Sequence, residues 1–128
     1  DGRRRLAGAA VIGTLDKPVH AMNLDLYARY IKLHYPDYVV VAIDASVGSP
    51  DHVGYATLGR GALQPGLGVS KNLEAVGDIS ITGIVGGAGS RDPVMLQSVR
   101  LSIVMKMADC ICEGICLVER LWENAAII

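Results

Sequence analysis

The chain has 128 residues, the size of one domain, and 51% of them are hydrophobic against 20% charged. That balance can bury a core and excludes a disordered chain. With 12 basic and 13 acidic residues the formal net charge is -1, which gives no ground for a nucleic-acid or acidic-membrane partner.

The chain opens on Asp1-Gly2-Arg3 without an initiator methionine, so a portion of a longer protein is expected. Arg3-Arg4-Arg5 is short and terminal and reads as a solvated helix end or loop, with a nucleic-acid patch as the minor alternative. Ala9 to Leu15 reads as a buried strand, bounded by Gly8 and the turn-forming Asp16-Lys17-Pro18. Asn23 is placed to cap a helix in which Leu24, Tyr27, Ala28, Ile31 and Tyr35 recur at helical spacing, and Pro36 ends it. Residues 38–46, YVVVAIDAS, form a β-branched run without alternation, as in a parallel strand covered on both faces. Strand, helix and strand at this spacing predict a βαβ unit. Residues 53–61 and 78–86 predict two further strands, separated by a Gly-rich loop over 64–73. A long, well-buried helix is predicted from about Pro93, capped by Asp92, with Leu96, Val99, Ile103, Met107 and Ile111 as its stripe and Val104, Ala108 and Ile115 widening it. The predicted fold is α/β: a single domain over 1–128 with a mostly parallel sheet covered by helices.

Three cysteines, Cys110, Cys112 and Cys116, fall on the last helix. An odd count without the spacing of a secreted scaffold predicts a reducing, cytoplasmic setting and buried structural thiols. No signal peptide is visible, and no apolar run is long enough to cross a bilayer.

Asp44 is the sharpest candidate for chemistry. It follows Val39 to Ile43 and so ends a strand, the edge at which parallel sheets carry their sites. Burial there would raise its proton affinity unless a cation compensated. The plainer reading is a carboxylate capping a nearby loop. His20 and Asp16 follow the first predicted strand, which puts them at the same edge of the sheet. His20 would serve as a general base, a metal ligand or an orienting group, or simply cap a turn made by Asp16 and Pro18. His34 and His52 read as helix-surface and loop residues. The Gly66-Leu67-Gly68 loop lacks both the Walker ending and a full G-x-G-x-x-G, so it reads as backbone shaping, open to close approach by a peptide. No G-x-S-x-G elbow is present for a serine triad.

The strings GTLDKPVHAMNL, VVVAIDASVGS, LQPGLGVSKNLEAVGDISITGIV and LQSVRLSIVMKMADCICEGI together resemble the YyaC family of sporulation proteins, over Gly13 to Ile115. That family is similar in turn to the germination protease of spores and to the hydrogenase maturation endopeptidases. The resemblance implies a three-layer α/β/α, phosphorylase/hydrolase-like fold and a cytoplasmic site of action in the mother cell or forespore. The AIDA string, residues 42–45, is similar to one of two catalytic aspartate strings of the germination protease, which implies a catalytic Asp44. The QPGLGV loop is similar to that protease's Pro-Gly-Ser-Gly-Val loop, which implies Gly66, Gly68 and Ser46 near the substrate. The family's first strand and its Asp-containing turn are expected to be lacking, with Asp16 a local substitute.

The function implied is an endopeptidase-like hydrolase in which a carboxylate pair that includes Asp44 activates water on a peptide bond, flanked by His20. No resident cofactor is expected. The alternatives are a divalent metal held by Asp44 and His20, as in the maturation enzymes, and a catalytically inactive binding or regulatory protein. The expected partner is a protein or peptide, with the apolar final helix suited to a homo-oligomer.

Overall fold

A computed structural model describes residues 8–63, 75–87 and 99–123. The two β-branched runs do pair. Val41–Gly48 (β1) lies parallel to a later strand, Ile79–Gly87 (β3), with Asp44 opposite Thr82 and a register shift between Ser46 and Val47. Between them in sequence, Ala56–Arg60 (β2) pairs antiparallel with β3, so the strand order is β1-β3-β2. The sheet is therefore mixed rather than mostly parallel. The reason is local: an isolated antiparallel bridge from Leu63 to Val76 continues the β2–β3 ladder. Two such arms fold back as a hairpin, which can only be antiparallel.

The first helix, Leu24–His34 (α1), ends before Pro36 as its spacing predicts, with Asp25 in its first turn and Lys32 and His34 in its last, each suited to the local end of the helix dipole. The last helix, Leu101–Glu123 (α2), lies against β3. Val99 and Arg100 are not helical, so this helix starts later than the expected Pro93. Val99 packs against Gly86, where an added Cβ would lie 3.2 Å from its Cγ2, and the Arg100 carbonyl accepts from the N–H groups of Ile103 and Val104 as the helix begins. The proposed Asp92 cap and Leu96 lie outside the described residues.

The core sits between β3 and α2. Gly83 gives way to Met107, whose Cε would be 2.9 Å from a Cβ there, and Val85, Met107 and Cys116 are buried. Ile103, Val104, Ile111 and Ile115 flank them half-buried, while Ala108, Leu117, Val118 and Leu121 are exposed. The helix is thus buried on one stripe only, narrower than its composition implied. Cys110 and Cys112 are exposed, against expectation, because they lie off that stripe.

Ala9–Leu15 is not a strand. It makes no ladder, and Val11 is 68% and Leu15 88% exposed. Strand-forming residues need a neighbouring strand to accept their backbone groups, and none lies beside them among the described residues. Among those residues no helix is long and apolar enough to cross a membrane.

Candidate functional site

The stretch from Gly13 to Leu24 is built by backbone geometry. Gly13 has φ +86, with Val19 Cγ2 3.2 Å from where a Cβ would stand. A turn follows, in which Thr14 N–H donates to the Lys17 carbonyl and Lys17 N–H to Thr14 Oγ1. Asn23 stands at the start of α1, but its side chain does not cap the helix. It turns back instead: Oδ1 accepts from His20 N–H at 2.8 Å, and Nδ2 donates to the Pro18 carbonyl at 3.1 Å. The His20 carbonyl accepts from the N–H groups of Asn23 and Leu24. His20 is thereby fixed at the mouth of α1. Its Nδ1 accepts from Met22 N–H at 3.2 Å, which in the neutral ring puts the proton on Nε2. The turn expected over Asp16 and Pro18 is closed by Thr14 and Lys17, and the His20 ring caps the N–H of Met22 beyond it. Asp16 is exposed in the turn.

Asp44 is placed by a clamp at the start of β1. Val40 N–H donates to Asp78 Oδ2 at 2.8 Å, and Asp78 and Ile79 N–H both donate to the Val40 carbonyl. The chain closes tightly there, since a Cβ at Gly77 (φ +105) would come within 2.9 Å of Ala42 Cβ. Asp44 is exposed, not buried, so the desolvation expected of it is not there. Its Oδ1 accepts from Ala45 N–H at 2.8 Å. By register it stands in a row with Thr82 and Thr57, on the sheet face opposite Gly83 and therefore opposite α2.

Asp44 and His20 line one open cavity of about 500 Å³ between α1 and β1. Its walls are mostly apolar: Tyr27, Ala28 and Ile31 from α1, Val41 and Ile43 from β1, and Ala10 and Ile12 from the N-terminal segment. Asp16 and Ser46 do not line it. Ser46 is half-buried on β1, and Gly66 and Gly68 lie outside the described residues.

Sequence reasoning missed Asp78, whose role depends on a non-local pairing, and the aromatic end of the cavity. Tyr35 and Tyr38 line it, with ring centroids 5.1 Å apart, and Tyr30 stands 6.1 Å from Tyr35. The Tyr35 phenol is pushed above its ordinary range, chiefly by charge repulsion from Tyr30, then by burial, a hydrogen bond with Tyr30 and the charge of Tyr38. The repeated tyrosines at 30, 35 and 38 are a signal that could have been read. Among the described residues no group of three or more His, Cys, Asp or Glu side chains is placed to hold a metal ion.

The family described as "Protein of unknown function (DUF1256)" matches residues 3–114. The "Uncharacterized protein YyaC" of Bacillus subtilis (strain 168) is 44% identical over 111 residues, which are 86% of this chain and 54% of that protein. The chain thus spans about half the length of this relative. No solved structure matches.

Proposed function

The chain belongs to the DUF1256 family, and on that premise we propose that it is an endopeptidase-like hydrolase acting in sporulation, with Asp44 as one of two working carboxylates. One observation carries this reading: Asp44 and His20, from separate elements, open onto the same peptide-sized cavity. In a carboxylate pair one member is ionised and the other protonated. The ionised oxygen takes a proton from water, whose oxygen adds to the peptide carbonyl. The protonated partner donates to the carbonyl oxygen. The C–N bond then breaks as the amine leaves with a proton. His20 has Nδ1 engaged, and its Nε2–H is the donor left to polarise or orient. The second carboxylate belongs to the part of the whole protein that the described residues do not include. For that whole protein we assign the three-layer α/β/α fold shared by the germination protease and the hydrogenase maturation endopeptidases, and a cytoplasmic site of action.

The exposed setting of Asp44, and its hydrogen bond to its own strand, favour a second reading, a peptide-binding protein that no longer cleaves. A synthetic peptide library read by mass spectrometry separates the two. The hydrolase cleaves, and Asp44→Asn slows it by about 10²–10⁴-fold, the range of a lost acid–base group, with the melting temperature kept. Equal cleavage by Asp44→Asn removes that residue from the mechanism. Activity restored to a metal-stripped sample by added zinc or nickel assigns Asp44 and His20 as metal ligands instead. No cleavage by either form leaves the binding reading.

A further inference from the structure

We infer that His20 is a dedicated hydrogen-bond donor: the start of α1 fixes its proton on Nε2, so that nitrogen neither takes a proton from water nor binds a metal. In the hydrolase read above, on which this role rests, the donor holds the carbonyl oxygen of the scissile peptide.

A neutral imidazole has one nitrogen that donates and one that accepts. To act as a base or a metal ligand through Nε2, it needs its proton on Nδ1 and an acceptor beside Nδ1, commonly a carboxylate or a carbonyl, to hold that proton. His20 is wired the other way. Its Nδ1 faces a donor, the Met22 N–H, at 3.2 Å. A proton moved to Nδ1 would set two donors against each other and cost Met22 its acceptor.

The backbone gives no relief. His20 N–H donates to Asn23 Oδ1 at 2.8 Å, and the His20 carbonyl accepts from the N–H groups of Asn23 and Leu24. Asn23 Nδ2 donates in turn to the Pro18 carbonyl at 3.1 Å. This also accounts for a helix-start Asn that does not cap its helix: its side chain is spent on His20. The residue is exposed, so water can stand in for a lost acceptor, and the bias between the two ring forms is about tenfold, the size of one hydrogen bond.

Among the described residues nothing accepts from Nε2–H, and His20 lines the same cavity as Asp44. A free donor of this kind is what attack on a peptide carbonyl needs beside its carboxylates, because charge develops on the carbonyl oxygen. A neutral imidazole can serve in that way.

Long-range proton–nitrogen NMR of EDTA-treated protein, above the pH at which its rings titrate, reads the ring directly, with His20→Gln identifying the His20 signals. The expected spectrum shows the Nε2–H form about tenfold in excess, unmoved by stoichiometric zinc. An Nδ1–H ring, an even mixture, or zinc bound at Nε2 overturns the donor. Two substitutions then separate the nitrogens. His20→Asn keeps an acceptor near the place of Nδ1 and offers no donor near Nε2, whereas His20→Gln reaches the place of Nε2 with an amide N–H. Peptide cleavage should fall about 10²–10³-fold in His20→Asn, as for a lost oxyanion donor, and stay within about tenfold of wild type in His20→Gln, with circular dichroism showing that both keep their helices. The reverse order means that His20 only builds the turn, and equal loss means a base or a ligand; either result overturns the role. If the wild-type protein cleaves nothing, the hydrolase is lost while the ring spectrum still decides the donor. Cleavage by a protein whose ring is Nδ1–H keeps the hydrolase and sinks the donor.

Discussion

Replacing Gly77 by alanine tests how β1 is held beside β3. Two costs are expected. The first is conformational: Gly77 has φ +105, outside the range an L-residue adopts easily, at roughly 1–2 kcal/mol. The second is steric. The new Cβ would stand 2.9 Å from Ala42 Cβ and 3.1 Å from the Ile79 carbonyl oxygen, and neither is the flexible end of a side chain. Overpacking of that kind costs roughly 1–3 kcal/mol. Together they give about 3 kcal/mol, or a fall of about 10 °C in melting temperature for a chain of this length. Gly54 supplies the control. It has φ +94 but nothing within 4 Å of the added Cβ, so Gly54→Ala carries the conformational cost alone. Urea unfolding of both variants isolates the contact, and the double variant Ala42→Gly/Gly77→Ala should recover about 1 kcal/mol of it through the coupling of the two sites. If Gly77→Ala is no less stable than Gly54→Ala, the close approach of this turn to β1 is not real, and the placement of Asp44 argued from it falls.

Asn23→Ala removes the acceptor of His20 N–H and the donor to the Pro18 carbonyl, so it should cost about 1–2 kcal/mol in chemical denaturation and broaden the His20 ring signals in NMR; an unchanged spectrum means that Asn23 does not hold the imidazole. Tyr30→Phe should bring the Tyr35 phenol back toward 10.0 in an ultraviolet tyrosinate titration, because Tyr30 is the main cause of its rise. The sign for stability follows: a phenol harder to ionise in the folded state contributes fully below pH 10.0 and loses that contribution as pH rises beyond it, so Tyr30→Phe should flatten this alkaline loss.

Much of the molecule was legible where the signal is local. α1 could be read from Leu24, Tyr27, Ala28 and Ile31 with Pro36 as its stop, and β1 and β3 from their unbroken β-branched runs. Asp44 and His20 line one cavity, although the run before His20, from which its place at the sheet edge was argued, is not a strand. What failed depends on partners distant in sequence. Ala9–Leu15 has strand composition, but a strand exists only in a ladder, and no property of Val11 or Ile12 names one. The antiparallel β2 follows from the Leu63–Val76 bridge, not from residues 56–60 themselves. α2 begins only at Leu101, after Val99 has met Gly86, a contact that helical periodicity passes over. Asp44 was read at the end of a strand covered on both faces, yet the apolar residues before it line an open cavity. Ser46 shares the strand of Asp44 but not its cavity.

The carboxylate folded over Ala45 N–H has a consequence for handling the protein. A charge standing among exposed β-branched residues opposes edge-to-edge aggregation, and here it sits on a backbone amide of the strand itself. Asp44→Asn lifts that gatekeeper. Light scattering should therefore accompany every assay of an Asp44 variant.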